Sequence, residues 1–391
     1  MIAAPIPASD IDLWTDDALR DPYPLHRTLR DLGPAVWLPR FEFTALARYA
    51  DVKRTLADAE TFVSGRGVAL NEPLNSTMGG NILASDGEPH ASMRRIVGKP
   101  FAPTALRDLR AAMAQEAERV VDAAVAKRHI DGVTELAWHL PLMVVSKLVG
   151  LPEAGRERML VWASAMFDVL GPVGERFQAA APVYGELMEY VTTQAVPGNL
   201  VPGSWGDQIY AAAARGETPL EDCPKHLVTY ITPSLDTTIF GLSNALWLFS
   251  HHPDQWDAIR ANPALIANAV SEVLRLESPV QYFTRMCVRD TVVDGTALAV
   301  GSRILVCYGS ANRDERAWTD PERFDIRRDA KDQLAFGHGA HECLGMPLAR
   351  VEMHALLSAL AKRVRRITVH EPVRALNNLL RGFERLPMTV E

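Results

Sequence analysis

The chain has 391 residues and carries 41 lysines and arginines against 48 aspartates and glutamates, a formal net charge of −7. This acidic balance argues against a nucleic-acid partner, which usually needs a basic face. At roughly 150 residues per domain the length suggests two or three domains, with enough core to fold without disulfide or zinc staples. The four cysteines lie far apart and form no C-x-x-C pair, which excludes the common zinc and redox motifs and fits a reducing cytoplasm.

Neither end of the sequence indicates export or membrane insertion. The first twelve residues lack the basic start and apolar run of a signal peptide. The longest apolar candidate, residues 230–249, contains Asp236, Asn244 and a proline, so it is interpreted as a buried helix and no membrane span is predicted. We therefore expect a cytoplasmic protein.

Apolar residues recur at helical spacing through most of the chain. The predicted helices cover residues 107–125, 136–148, 156–170, 175–193, 222–251, 254–261, 264–276 and 348–364. Strand patterns are few and short, and cover residues 35–38, 44–47, 292–293, 303–308 and 388–390. The patterning predicts a mainly α protein with a small β-sheet region.

The most specific motif is F-G-x-G-x-H-x-C-x-G, which runs from Phe336 through Gly337, His341 and Cys343 to Gly345. The glycines before the cysteine allow a tight bend and a close backbone approach. A helix predicted just after the motif favours a thiolate through its dipole and free N–H groups. Such a thiolate is either a nucleophile or a metal ligand, whereas a lone cysteine is otherwise most often a small buried hydrophobe.

This motif resembles the haem-binding loop of the cytochrome P450 family. The resemblance implies the P450 fold, an orthogonal helical bundle, and haem b as the cofactor. It makes Cys343 the proximal thiolate ligand of the haem iron, where a thiolate pushes electron density onto the metal and favours O–O cleavage. It also places Phe336 near the sulfur and His341 at a haem propionate.

Three further residues match the family pattern for holding the two propionates. His90 and Arg94 have the spacing H-x-x-x-R, which puts both on one face of a helix. Arg285, in the segment F-T-R-M, matches the second propionate arginine of the family. Without the resemblance, His90 and Arg94 would be interpreted as a solvated helix face.

A second set of residues is assigned a structural role. Glu272 and Arg275 form an E-x-x-R pair, which in isolation is a common surface ion pair. In the family this pair is buried and binds a residue of the following charged loop, and Arg323 matches that partner.

The predicted helix over residues 222–251 contains Pro233, Ser234, Asp236 and Thr237. A proline inside a helix removes one backbone hydrogen bond, so Pro233 should open the helix near Thr229. The structural interpretation is a satisfied kink. The resemblance implies proton delivery, in which Thr237 holds dioxygen and water and Asp236 relays protons. The family pattern A-G-x-D-T is replaced here by P-S-L-D-T, which changes the groove beside this pair.

The family topology predicts a substrate pocket on the haem face opposite Cys343. Its predicted lining residues are Val68, Leu70, Met78, Phe167, Ser234, Val280, Phe283 and Phe383. Such a pocket suits a small, mostly apolar aromatic or terpenoid molecule. The last third of the chain looks like members that oxidise para-substituted benzoates, but Val228 and Thr229 replace their carboxylate-binding Arg-Ser pair, with Arg66 as a possible substitute.

The resemblance predicts a haem-thiolate monooxygenase that hydroxylates or O-dealkylates its substrate with two electrons from an iron–sulfur ferredoxin and a ferredoxin reductase. Arg94, Arg95, Lys99 and Arg350 offer positive charge for that ferredoxin. The alternatives are a peroxide-driven peroxygenase and a non-catalytic haem-binding or sensing protein. Because one cofactor needs residues from His90 to Cys343, residues 1–391 are expected to form a single domain.

Overall fold

The computed structural model describes residues 6–391, apart from the side chains of Pro103, Asp108 and Arg156. Its helices are α1 Asp16–Arg20, α2 Tyr23–Leu32, α3 Tyr49–Ala57, α4 Glu72–Asn75, α5 Gly87–Val97, α6 Pro103–Lys127, α7 His139–Leu148, α8 Met159–Val169, α9 Glu175–Thr193, α10 Trp205–Ala214, α11 Cys223–Ile231, α12 Asp236–His251, α13 Pro253–Ala261, α14 Ile266–Leu276, α15 Tyr308–Ala311 and α16 Met346–Arg363. Its strands are β1 Val36–Leu38, β2 Phe43–Leu46, β3 Phe62–Val63, β4 His129–Asp131, β5 Tyr282–Cys287, β6 Thr291–Val293, β7 Thr296–Leu298, β8 Arg303–Cys307, β9 Ile367–Val369, β10 Val373–Arg374, β11 Phe383–Arg385 and β12 Pro387–Val390. The predicted mainly α class is confirmed.

The helix predicted over residues 222–251 is interrupted. The chain leaves the helical path after Ile231 and re-enters it at Asp236, which separates α11 from α12. Pro233 lies within the break, because it has no N–H to donate and its ring clashes with the preceding turn. The prediction of one long helix was therefore wrong, although the proline was correctly identified as the cause of an opening.

The largest sheet has the strand order β1-β2-β8-β5-β3. Strands β2 and β8 are parallel, and the other neighbours are antiparallel. Because side chains alternate along a strand, the pairing of β5 with β8 fixes the direction of Arg285, whose Cα lies opposite that of Ile304. The other sheets are β4-β12-β9, β10-β11 and β6-β7.

One large core of buried apolar side chains draws on segments from Leu13 to Val390. A second cluster lies around the largest sheet and includes Leu46, Val306 and Leu334. Within residues 6–391, no helix is both long enough and apolar enough to cross a bilayer.

A buried ion network joins α14 to the charged loop that follows α15. Arg275 makes a bidentate ion pair with Glu272, with nitrogen–oxygen distances of 2.7 and 2.9 Å, and both side chains are fully buried. The third charge comes from Arg328, whose Nε lies 3.1 Å from Oε1 of Glu272. Arg275 also donates to the main-chain carbonyls of Asn312, Pro321 and Arg323.

The assignment of Arg323 as the charged partner was wrong. Its side chain is exposed, and it contributes its carbonyl to the network rather than its guanidinium. The loop turns in such a way that Arg328, five residues later, points back to Glu272. Residue spacing alone does not determine this turn.

Replacing Arg328 by alanine should destabilise the protein by about 1–3 kcal/mol, because a buried carboxylate loses a charged hydrogen-bond partner. Arg323→Ala is the matched control and should change the free energy of unfolding by less than about 0.5 kcal/mol. Urea denaturation of both variants measures the difference. A larger loss for Arg323→Ala would contradict the assignment.

Candidate active site

A large cavity lies between the motif loop, α5, α8, α9 and the break between α11 and α12, with about 2070 Å³ of empty space including its open mouth. Most of its walls are apolar. The predicted haem-binding, catalytic and polar pocket residues that line it are His90, Arg94, Ser234, Thr237, Arg285, Phe336, Gly337, His341, Cys343 and Gly345. Residues more than 200 positions apart in the chain thus meet around one space, as the motif analysis predicted.

The loop that carries Cys343 is bent by two glycines. Gly337 and Gly339 both have a φ of +74°, a region that side chains other than glycine rarely adopt. A Cβ on Gly339 would lie 2.5 Å from the carbonyl oxygen of Leu56, so the loop packs closely on α3. The N–H of Cys343 donates to the carbonyl of Phe336 at 2.8 Å, which closes the bend. Gly345 has an ordinary helical φ of −80°, and a Cβ at this position would lie 3.8 Å from the sulfur of Cys343, an ordinary van der Waals distance.

The thiol of Cys343 is open to the cavity, whereas Cys223, Cys287 and Cys307 are buried. Burial by the surrounding protein raises its pKa, although the N–H groups of Gly345 and Met346 act in the opposite direction. A cysteine acts as the thiolate both as a nucleophile and as a metal ligand. Because a bound metal displaces the proton of a thiol, the raised pKa is compatible with ligation of a metal by Cys343.

Two histidines and two arginines line the cavity beside this loop. The rings of His90 on α5 and His341 lie 4.0 Å apart between centroids. Nε2 of His90 is buried and has no hydrogen-bond partner in the described part of the chain. Burial, then Arg285 and His90, lower the pKa of His341 to about 4. Arg94 donates to the carbonyl of Glu342 at 2.8 Å. The one carboxylate that acts on the two histidines in the described part of the chain is Asp86, whose Oδ1 lies 3.4 Å from Nε2 of His341.

The break in the long helix forms another wall of the cavity. The hydroxyl of Thr237 donates to the carbonyl of Pro233 at 2.7 Å, so its oxygen keeps a fixed direction. Ser234 and Thr232 line the cavity on the same segment. The substitution of Pro233 and Ser234 for the family's Ala and Gly therefore leaves the Thr237 hydroxyl at the cavity wall.

Asp236 lies behind this wall and is 6% exposed. Burial, and next the negative charge of Asp168, raise the pKa of Asp236 to about 8. The carboxyl is thus protonated at neutral pH. Among residues 6–391, no hydrogen bond or ion pair of its side chain is found.

Five of the eight predicted pocket residues line the cavity: Met78, Phe167, Ser234, Val280 and Phe283. The predictions for Val68, Leu70 and Phe383 were wrong, since these side chains are buried in the core instead. Val68 and Leu70 are tied by main-chain bonds to Thr284 and Leu170, and Phe383 packs under the guanidinium of Arg374 at 3.8 Å. Arg66 is exposed and does not line the cavity, so it does not replace the missing arginine.

Several cavity residues were not predicted, among them Tyr184, Lys225 and Glu352. Glu352, on α16, accepts a hydrogen bond from Thr238, while its Oε1 is buried without a partner. Burial raises its pKa to about 8. Glu352 could have been recognised from the sequence, because it follows Cys343 by nine residues and lies one helical turn after the apolar Leu348, on the same face of the predicted helix.

Comparisons with known proteins agree with this geometry. The family model described as cytochrome P450 matches residues 217–372. Cytochrome p450 CYP199A2 of Rhodopseudomonas palustris is 37% identical over 98% of this chain and 95% of its own length. The chain belongs to the cytochrome P450 family.

Two further relatives extend this P450 assignment. Cytochrome P450 monooxygenase PikC of Streptomyces venezuelae is 31% identical over 98% of this chain and 94% of that protein. The P450 heme domain of Tepidiphilus thermophilus has a TM-score of 0.84 and 25% identity, covering 97% of this chain and 96% of that one. The fold is the P450 fold, and the chain is a P450 monooxygenase.

The cofactor of this P450 is haem b, and the described residues fit it. The open Cys343 thiol would supply a sulfur ligand to the haem iron. Nε2 of His90 is buried and unpartnered, and the side chain of Arg285 is only 5% exposed. Both groups would offer hydrogen-bond donors to the haem carboxylates. A flat apolar macrocycle needs a mostly apolar cavity, and the walls provide one.

Proposed function

We propose that this P450 uses electrons from an iron–sulfur ferredoxin to hydroxylate or O-dealkylate a small, mostly apolar aromatic or terpenoid molecule. The observation that carries the proposal is the position of Cys343 and Thr237 on the walls of one apolar cavity. When bound, haem supplies an iron that activates dioxygen once two electrons arrive. The remaining tasks fall to side chains of this chain.

The haem-holding residues act through charge and hydrogen bonding. Cys343 ligates the iron, with Phe336 and the two glycine-bent turns holding its loop in place. His90, Arg94, Arg285 and His341 bind the propionates, the two arginines through their positive charge and the two histidines, which burial keeps neutral, through ring N–H groups.

The pair Thr237 and Asp236 manages water and protons. Because the Thr237 hydroxyl donates its hydrogen to Pro233, its lone pairs are available as acceptors toward the cavity. Asp236 holds a proton at neutral pH, which suits a donor to the groove. The haem-thiolate peroxygenase alternative has no need of such a relay, and neither has a sensing protein without turnover.

The character of the cavity walls favours an uncharged substrate. Met78, Phe167, Val280 and Phe283 provide apolar surface. Val228 and Thr229, in place of the Arg-Ser pair, offer no positive charge. Lys225 lines the mouth, but its Nζ is bound to Asp222 at 2.9 Å and to the carbonyl of Gly79 at 2.7 Å, so its charge is already compensated.

For the ferredoxin we propose the surface of α5 beside the Cys343 loop. Arg95 and Lys99 are exposed there, while Arg94 and Arg350 are partly buried and bound to Glu342 and Ser271. Arg95 is paired with Glu88 at 2.7 Å and Lys99 with Glu217 at 3.6 Å. Exposed ion pairs of this kind are weak, so an acidic ferredoxin can compete for both cations. We further propose that the chain forms one domain, because a single core draws on segments from Leu13 to Val390. We also propose a cytoplasmic location, because the four cysteines are free.

Replacing Thr237 by alanine should leave haem binding intact but divert electrons from product into hydrogen peroxide, raising the peroxide share of NADH consumed several-fold. The reason is the loss of the fixed hydroxyl at the cavity wall. NADH consumption, product and peroxide are measured with a ferredoxin and its reductase. Thr237→Ser, which keeps the hydroxyl, is the control, and full coupling in Thr237→Ala would contradict the relay role.

A spin-state titration tests the substrate class. Small neutral para-substituted aromatics and monoterpenoids should displace water and shift the Soret band, binding at least about tenfold more tightly than the matching benzoates, a difference of about 1.4 kcal/mol. Tighter binding of the carboxylates would contradict the neutral-substrate proposal and indicate that Lys225 is available as an anchor.

A further inference from the structure

The carboxyl of Asp236 has a second acid beside it. Asp168 lies at the end of α8, which packs against α12 where Asp236 begins that helix. Phe167 and Thr237, the sequence neighbours of these two aspartates, line the same cavity. Neither aspartate lines the cavity itself, and on these two packed helices Asp168 lies within electrostatic reach of Asp236.

The side chain of Asp168 is held in a fixed direction. Its Oδ1 accepts the main-chain N–H of Asn378 at 2.8 Å, and its carbonyl accepts the side-chain amide of Asn378 at 2.9 Å. No hydrogen bond to Oδ2 is found in the described part of the chain. Asp168 is half-buried whereas Asp236 is almost fully buried, so Asp168 is the member of the pair that reaches solvent.

We infer that Asp168 is the solvent-side member of the proton relay and reloads Asp236 after each proton is delivered to the groove. A hydronium ion from bulk solvent gives a proton to the Asp168 carboxylate and leaves as water. The O–H bond on Asp168 then breaks as an O–H bond forms on the Asp236 carboxylate, either directly or through one water molecule, and Asp168 returns to its ionised form. Asp168 acts through Asp236, so it is a positioning residue, and this inference rests on the relay proposed above.

The electrostatics of the pair suit such a transfer. Burial raises the pKa of Asp168 to about 6, with the Asn378 N–H and then Arg176 acting to lower it. The pKa of Asp236 is raised further, to about 8, so the proton moves from the outer acid to the inner one. Proton donors and acceptors with pKa values near the working pH exchange protons most effectively.

Few other charges act on the pair within residues 6–391. Asp168 is the charged group that acts on Asp236. Arg176, from α9, is the one that acts on Asp168, and it is itself bonded to the carbonyl of Trp14 and paired with Asp16. From α16, Glu352 contacts the neighbouring Thr238 rather than Asp236. Arg176 thus acts on the outer acid alone, and within residues 6–391 no basic residue acts on Asp236.

The first test is independent of turnover. Difference infrared spectroscopy of the haem-loaded protein measures the band of the protonated Asp236 carboxyl as a function of pH. The band is assigned by its loss in Asp236→Asn. Because the charge of Asp168 raises the pKa of Asp236, Asp168→Asn should move the midpoint of this band to lower pH. The control is Asp51→Asn, whose carboxyl also has a pKa raised to about 6 by burial but lies on α3. An unchanged midpoint in Asp168→Asn would overturn the inference.

The second test uses catalysis. Asp168→Asn should slow coupled turnover several-fold and increase its solvent isotope effect, since proton supply becomes limiting, and Asp168→Glu should restore both. Equal isotope effects in wild type and Asp168→Asn would overturn the inference. If the wild type makes no product with ferredoxin but Asp168→Asn still moves the infrared midpoint, the proposed function is overturned and the acid pair remains established.

Discussion

The arrangement of this protein depends on the close contact between the glycine-bent loop before Cys343 and the helix α3. Gly339 comes so near the carbonyl of Leu56 that no side chain fits between them. With the loop fixed there, its sulfur opens into the cavity, and His341 lies against His90. The cavity-lining residues of α5, β5 and α12 can face the same bound group as the sulfur only because this contact determines where the sulfur lies.

A second constraint acts from the opposite wall. Pro233 prevents a continuous helix, and the break exposes hydroxyls to the cavity while Asp236 stays behind it. Placing a carboxyl in such a buried position costs free energy unless it is protonated. The raised pKa of Asp236 is the consequence, so this carboxyl holds a proton at neutral pH.

The sequence predicted the elements and residues whose signals are local. Helix α9 was placed at its observed bounds because its periodic pattern starts directly after Gly174. Helices α2, α3 and α10 were missed although each has nine or ten residues, whereas α1 and α4 are too short for periodicity to be recognised. The cysteine motif was identified because its spacing is itself the signal. Arg328 and Asp168 were missed because their roles depend on how a loop turns and on which helices pack together.

The same reasoning explains the errors in the substrate pocket. All five apolar residues Val68, Leu70, Met78, Phe167 and Phe383 belong to the buried core, but only Met78 and Phe167 of these five also line the cavity. Hydrophobic character predicts burial but not the direction of burial. That direction is set here by main-chain bonds, such as the one from Leu70 to Leu170, that form only in the folded chain.

The ligation of haem by Cys343 is tested most directly by the absorption spectrum of the reduced carbon monoxide complex. Wild type should show the strongly red-shifted Soret band of a thiolate ligand. Cys343→His should lose that band, and Cys223→Ala, which alters a buried cysteine outside the cavity, should keep it. A wild type without the red-shifted band, or a Cys343→His variant that retains it, would contradict the account.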